Sequence, residues 1–136
     1  MRRSKQLWNE LVVEIAAFWV LATSIVLLWR DNALLFIILL VEVLVALGLW
    51  HDRYDLSVFL VIAVLGSLAE ALFVHSGVWR YANPTLLGVP LWFPLAFGTA
   101  ALIGERLVCT ITRIWDPTRS ADDRNHRLEA HRDSLP

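Results

Sequence analysis

Four apolar runs, residues 11–29, 33–50, 56–74 and 91–111, fill most of this chain, and short polar stretches separate them. Each is close to the roughly 20 residues that a helix rising about 1.5 Å per residue needs to cross hydrocarbon. The pattern predicts an all-α polytopic membrane protein. Its transmembrane domain over 1–115 is a compact four-helix bundle, followed by a polar tail over 116–136. Arg30-Asp31-Asn32 reads as a minimal turn, and His51 to Asp55 as the second connector. Residues 75–90, HSGVWRYANPTLLGVP, are different in kind. Ser76-Gly77 ends a helix, while Asn83-Pro84 and Gly88-Val89-Pro90 mark turns. Pro94 belongs to the first turn of the fourth helix, where a missing N–H costs little. Gly98 and Gly104 give that helix a smooth surface for close packing.

Charge sets the expected orientation. Arg2, Arg3 and Lys5 precede the first run, Arg53 follows the second, and Arg106, Arg113, Arg119 and Arg124 lie at or beyond the end of the fourth. Only Arg30 and Arg80 fall on the opposite side. The positive-inside rule then puts both termini in the cytoplasm of a bacterial or archaeal cell, with the chain in its cytoplasmic (inner) membrane. Six of the seven tryptophans (Trp8, Trp29, Trp50, Trp79, Trp92 and Trp115) sit near run ends, as interfacial anchors do, and only Trp19 is interior. The basic start followed by an apolar run has the look of a signal peptide. The run has transmembrane length, however, and no small-residue cleavage site closes it, so a retained first helix is expected.

Composition narrows the chemistry. The chain is 57% hydrophobic and 18% charged, with a formal charge of -1, so nothing points to a nucleic-acid partner. Cys109 is the single cysteine and, in apolar surroundings, reads as an inert packing thiol. No cofactor-binding loop, metal-ligand set or nucleophile triad is visible: His75 and Glu70 lack a third donor, and His51 is expected on the other face. The tail over 116–136 alternates four arginines with five carboxylates and reads as a solvated helix or a disordered segment.

Each run carries one carboxylate: Glu14, Glu42, Glu70 and Glu105. An ionisable group in hydrocarbon is costly and marks either a functional site or a specific helix contact. Glu14 and Glu105 lie near the cytoplasmic face. They are expected to reach the headgroup region, with a contact from Glu14 to Arg106 or Arg113 as the other option. Glu42, near the middle of its run, is expected to make an intramembrane polar contact within the bundle or between subunits of a homo-oligomer, with proton work as the alternative. Glu70 has the richest neighbourhood. Gly66 and Ser67 leave room beside it, and Trp79, Arg80, Tyr81, Asn83 and Trp92 are candidates for a ligand pocket near the outer interface. A purely structural reading has Arg80 neutralising Glu70.

The stretch from Glu70 to Tyr81, with Gly77 inside it and Gly88-Val89-Pro90 after it, resembles a motif of the membrane-embedded carotenoid hydratases. Similar wording occurs in small bacterial multi-pass proteins with a Gly-x-Trp-x-Tyr pattern, here Gly77 to Tyr81. The resemblance covers residues 70–105, about a quarter of the chain. Those hydratases have more spans, which implies that a four-span chain matches part of that architecture or dimerises to complete it. The resemblance implies Glu70 as a general acid on an isoprenoid double bond. Trp79, Tyr81 or Trp92 would face the carbocation, with His75 as a base and Arg80 and Tyr81 also in the catalytic set. Three functions are therefore in view: binding of a membrane lipid or isoprenoid, isoprenoid hydration, and proton or cation transport through a carboxylate path.

Overall fold

A computed structural model describes residues 2–50 and 53–116. The tail expected over 116–136, apart from Asp116, and the connector residues His51 and Asp52 lie outside the described residues. Four helices follow in order: α1 (Arg2–Leu28), α2 (Asn32–Trp50), α3 (Arg53–His75) and α4 (Phe93–Trp115). All four are long and apolar enough to span a bilayer. The chain is a multi-pass membrane protein folded as a four-helix bundle, and its exposed surface is correspondingly apolar. Val26, Leu27, Leu44, Val61 and Leu72 all point outward. The interior Trp19 is also 65% exposed and faces away from the bundle.

The helices outrun the apolar stretches because polar residues at span ends keep helical hydrogen bonding in the interface. α1 begins nine residues before residue 11, and α4 continues to Trp115. α3 already starts at Arg53, so Tyr54 and Asp55 are helical rather than connector. α4 starts at Phe93, two residues later than expected, with Pro94 in its first turn. The α1–α2 turn is capped at Asp31. Its Oδ1 accepts the Leu34 N–H at 3.0 Å and its carbonyl accepts the Leu35 N–H at 3.0 Å.

α3 ends in a Schellman motif at the predicted place. The Val78 N–H donates to the Phe73 carbonyl and the Gly77 N–H to that of Val74, with Gly77 at φ 76°. The chain returns through a tight turn at Leu86–Val89, closed by reciprocal backbone hydrogen bonds of 3.0 and 2.9 Å. Its central residues, Leu87 and Gly88, both have positive φ, as a type I′ turn requires.

α4 is the central element. It packs against all three other helices and is the most buried of the four. Its closest neighbour is α3. The Phe59 ring and carbonyl lie against Gly98, and the Phe97 ring lies on Gly66. Any side chain at either glycine would overlap those atoms. Two expectations change here. Gly104 has nothing within 4 Å of where its Cβ would be, so it is not a packing surface. The space beside Gly66 is filled by Phe97 rather than left open next to Glu70. A core of Leu21, Leu35, Leu39, Trp92, Phe93 and Ile103 joins α1, α2 and α4.

Candidate functional site

The bundle has two chemically distinct ends. One, the irregular end, gathers the α1–α2 turn, residues 76–92 and the start of α4. The other, the termini end, gathers the start of α1, the end of α2, the start of α3 and the end of α4.

At the irregular end Glu70 is buried, 8% exposed. The chain past the Schellman motif folds back so that Trp79 Nε1 donates to Glu70 Oε1 at 2.6 Å, and the Tyr81 hydroxyl donates to the same oxygen. Burial and the bond to Glu70 push the Tyr81 phenol above its ordinary pKa. Phe73 packs on Trp79, and Phe93 meets the Tyr81 ring edge-to-face at 5.9 Å. Trp79 and Tyr81 therefore stand where the sequence grouped them.

The other residues expected in that pocket go elsewhere. Asn83 Nδ2 donates to the carbonyls of Trp29 and Arg30 at 3.3 and 3.2 Å. Asn32 Nδ2 donates to the Asn83 carbonyl and to Thr85 Oγ1, and Trp92 Nε1 donates to Asn32 Oδ1 at 3.1 Å. These bonds rivet the irregular segment to the α1–α2 turn. His75 and Arg80 are exposed. Among the described residues no ion pair joins Arg80 to Glu70, whose donors are an indole and a phenol. The six expected ligand residues thus divide into a Glu70 cluster, an asparagine-centred clamp and one exposed cation.

Beside the Glu70 cluster runs an apolar groove of about 300 Å³ between α3 and residues 86–94. Ala63, Ser67 and Ala71 form its floor and Leu86, Leu87 and Pro90 its rim. Ser67 turns its hydroxyl back to the Ala63 carbonyl at 2.6 Å, which satisfies its donor within α3.

The remaining carboxylates each have a partner. Glu42 accepts a 2.6 Å hydrogen bond from Ser24 of α1. Glu105 accepts one from the Cys109 thiol at 3.0 Å, so that thiol is engaged by a carboxylate rather than packed among apolar groups alone. Glu14 departs from expectation. It is 3% exposed, so it cannot reach the headgroups, and its Oε1 accepts the Thr110 hydroxyl at 2.8 Å. Its Oε2 is buried and has no hydrogen-bond partner among the described residues. An unmet buried acceptor costs on the order of 1–3 kcal/mol.

Sequence reasoning missed Asp55 altogether. It is 1% exposed and forms a two-pronged ion pair with Arg106, with Nε to Oδ1 at 3.0 Å and Nη2 to Oδ2 alongside. The Arg106 guanidinium also lies 5.7 Å from the Trp50 ring centroid. The available signal was Arg106 itself, because a cation inside an apolar run demands a carboxylate at its own depth. Among the described residues no group of three or more His, Cys, Asp or Glu could hold a metal. No known protein family, curated protein or solved structure matches this chain.

Proposed function

We propose that this protein binds a membrane lipid or isoprenoid, seating its chain in the groove between α3 and residues 86–94. The observation that carries the reading is the groove itself, which is lined almost entirely by apolar groups beside a helix long and apolar enough to cross a membrane. Its outer wall is not a loose loop, because the asparagine clamp holds Asn83 and Thr85 before it and Trp92 near its end. A preformed site of this kind binds without a further ordering cost. The orientation that goes with it has the termini end in the cytoplasm of a prokaryotic cell and the groove toward the outer leaflet. Lys5, Arg53, Arg106 and Arg113 on one side against Arg30 and Arg80 on the other support that assignment.

Glu70 fits a binding role better than hydration chemistry. Both donors converge on one oxygen and tie the irregular segment to α3, so the carboxylate holds the groove's surroundings in place. A photoactivatable polyisoprenoid in vesicles holding the full chain tests the proposal. Label is expected on residues 86–91 and the facing side of α3, and Ala71→Phe is expected to reduce it several-fold. Val61→Phe, on the lipid face outside the groove, is expected to leave it unchanged. Label spread evenly over all four helices would overturn the reading.

A further inference from the structure

A second groove of about 180 Å³ lies between α1 and α2, running from Trp50 at the end of α2 to Glu42 near its middle. Ala46, Thr99 and Ile103 form its buried floor. Val20, Val45 and Leu49 form its rim, and each is more than half exposed, so the groove opens on the outer face of the bundle. The Thr99 hydroxyl is engaged by the Leu95 carbonyl at 2.7 Å. Among the described residues that line this groove, Glu42 is the one ionisable side chain.

Helical register places the Glu42 carboxyl at the head of the groove. Val13, Ala17 and Val20 line it from α1, and Ser24 continues the same stripe one turn further on. Glu42, Ala46 and Leu49 form the facing stripe of α2. The Ser24 hydroxyl donates to Glu42 Oε1 at 2.6 Å, so the carboxyl stands between the two stripes. Its Oε2 has no hydrogen-bond partner among the described residues, and unlike Glu14 Oε2 it is not closed off from the surface. At this depth no water replaces a missing donor. A cationic donor suits a carboxylate best, and the two together carry no net charge into hydrocarbon.

We infer that this groove binds a small lipophilic ammonium ion. The ammonium donates to Glu42 Oε2 while Ser24 holds Oε1, and the apolar body lies along Ala17 and Ala46. The space sets the size of that body, since an apolar cavity of about 150 Å³ holds a benzene ring. One aryl group or a short alkyl chain therefore fits. The site shares no lining residue with the groove between α3 and residues 86–94 and stands or falls without it.

The test compares a cation with its neutral twin. The full chain in phosphatidylcholine vesicles is photolabelled with a diazirine-bearing phenethylammonium, or with the alcohol in which a hydroxyl replaces the ammonium. Label around Ala17 and Ala46 is read by mass spectrometry and normalised to label at the lipid-facing Val61, which corrects for partition into the bilayer. The wild type is expected to favour the cation by about tenfold, the range of a hydrogen bond to a charged group. Glu42→Gln keeps the shape but removes the charge, and is expected to bring the ratio to about one. Equal labelling of the wild type by both probes would overturn the inference. So would a cation preference that survives in Glu42→Gln with helix content intact by circular dichroism, because another group would then hold the ammonium. Competition in the wild type needs no variant. Excess benzylammonium is expected to clear the groove label several-fold more than the same concentration of benzyl alcohol, and equal clearance would also overturn the inference.

Discussion

Two donors on a single carboxylate oxygen make Glu70 the anchor of the irregular end, and Tyr81 is the member whose protonation can be followed. Burial and Glu70 raise its phenol above the ordinary value of 10.0. A folded-state pKa above the unfolded one means that the phenol's contribution to stability is complete below about pH 10. It is lost as pH rises through the higher folded value. Alkaline titration of phenolate absorbance should therefore show a late step that is missing from Tyr81→Phe. The alkaline loss of stability should flatten in that variant. A late step that persists in Tyr81→Phe would assign it to Tyr54 and detach Tyr81 from Glu70. Glu70, Trp79 and Tyr81 were legible as a cluster because nine to eleven residues and a glycine separate them, enough to turn back on the helix end. His75 and Arg80 were grouped with them by proximity in sequence, but the Schellman motif turns the chain so that both point outward.

Helix contacts rest on which glycines meet a neighbour. Gly98→Ala would drive a methyl into the Phe59 ring and carbonyl, and overpacking of this kind costs roughly 1–3 kcal/mol. Gly104→Ala meets nothing and gains helix propensity of up to about 1 kcal/mol. Unfolding of the two variants in mixed micelles by circular dichroism should place them on opposite sides of the wild type. Equal effects would mean that the α3–α4 seam is looser than described. The existence and order of the four helices followed from apolar run length alone, since hydrocarbon forces the backbone to satisfy itself. Their ends did not follow, because amphipathic residues such as Arg53 and Trp115 stay helical in the interface, where hydropathy has already faded. The two glycines looked alike in sequence because which face of α4 meets α3 depends on the packing angle.

The whole bundle is tied at its termini end by Asp55 and Arg106, which join the start of α3 to the end of α4. Asp55→Leu alone leaves a guanidinium without its carboxylate and should cost about 3–5 kcal/mol, while Asp55→Leu with Arg106→Met should recover most of that loss. A double-mutant cycle of unfolding free energies measures the difference, and simple additivity would show that the pair is not coupled. The same geometry orders events in time. Glu14 finds Thr110 96 residues later in the chain, and Asp55 finds Arg106 51 residues later. Both partners belong to α4, which is synthesised after the other three described helices. Until it enters the bilayer, the three earlier helices hold two carboxylates without the partners they have in the finished fold. A ribosome paused before residue 93 would leave an intermediate with polar sites open to chaperones and membrane proteases, and arrival of α4 would withdraw both sites together.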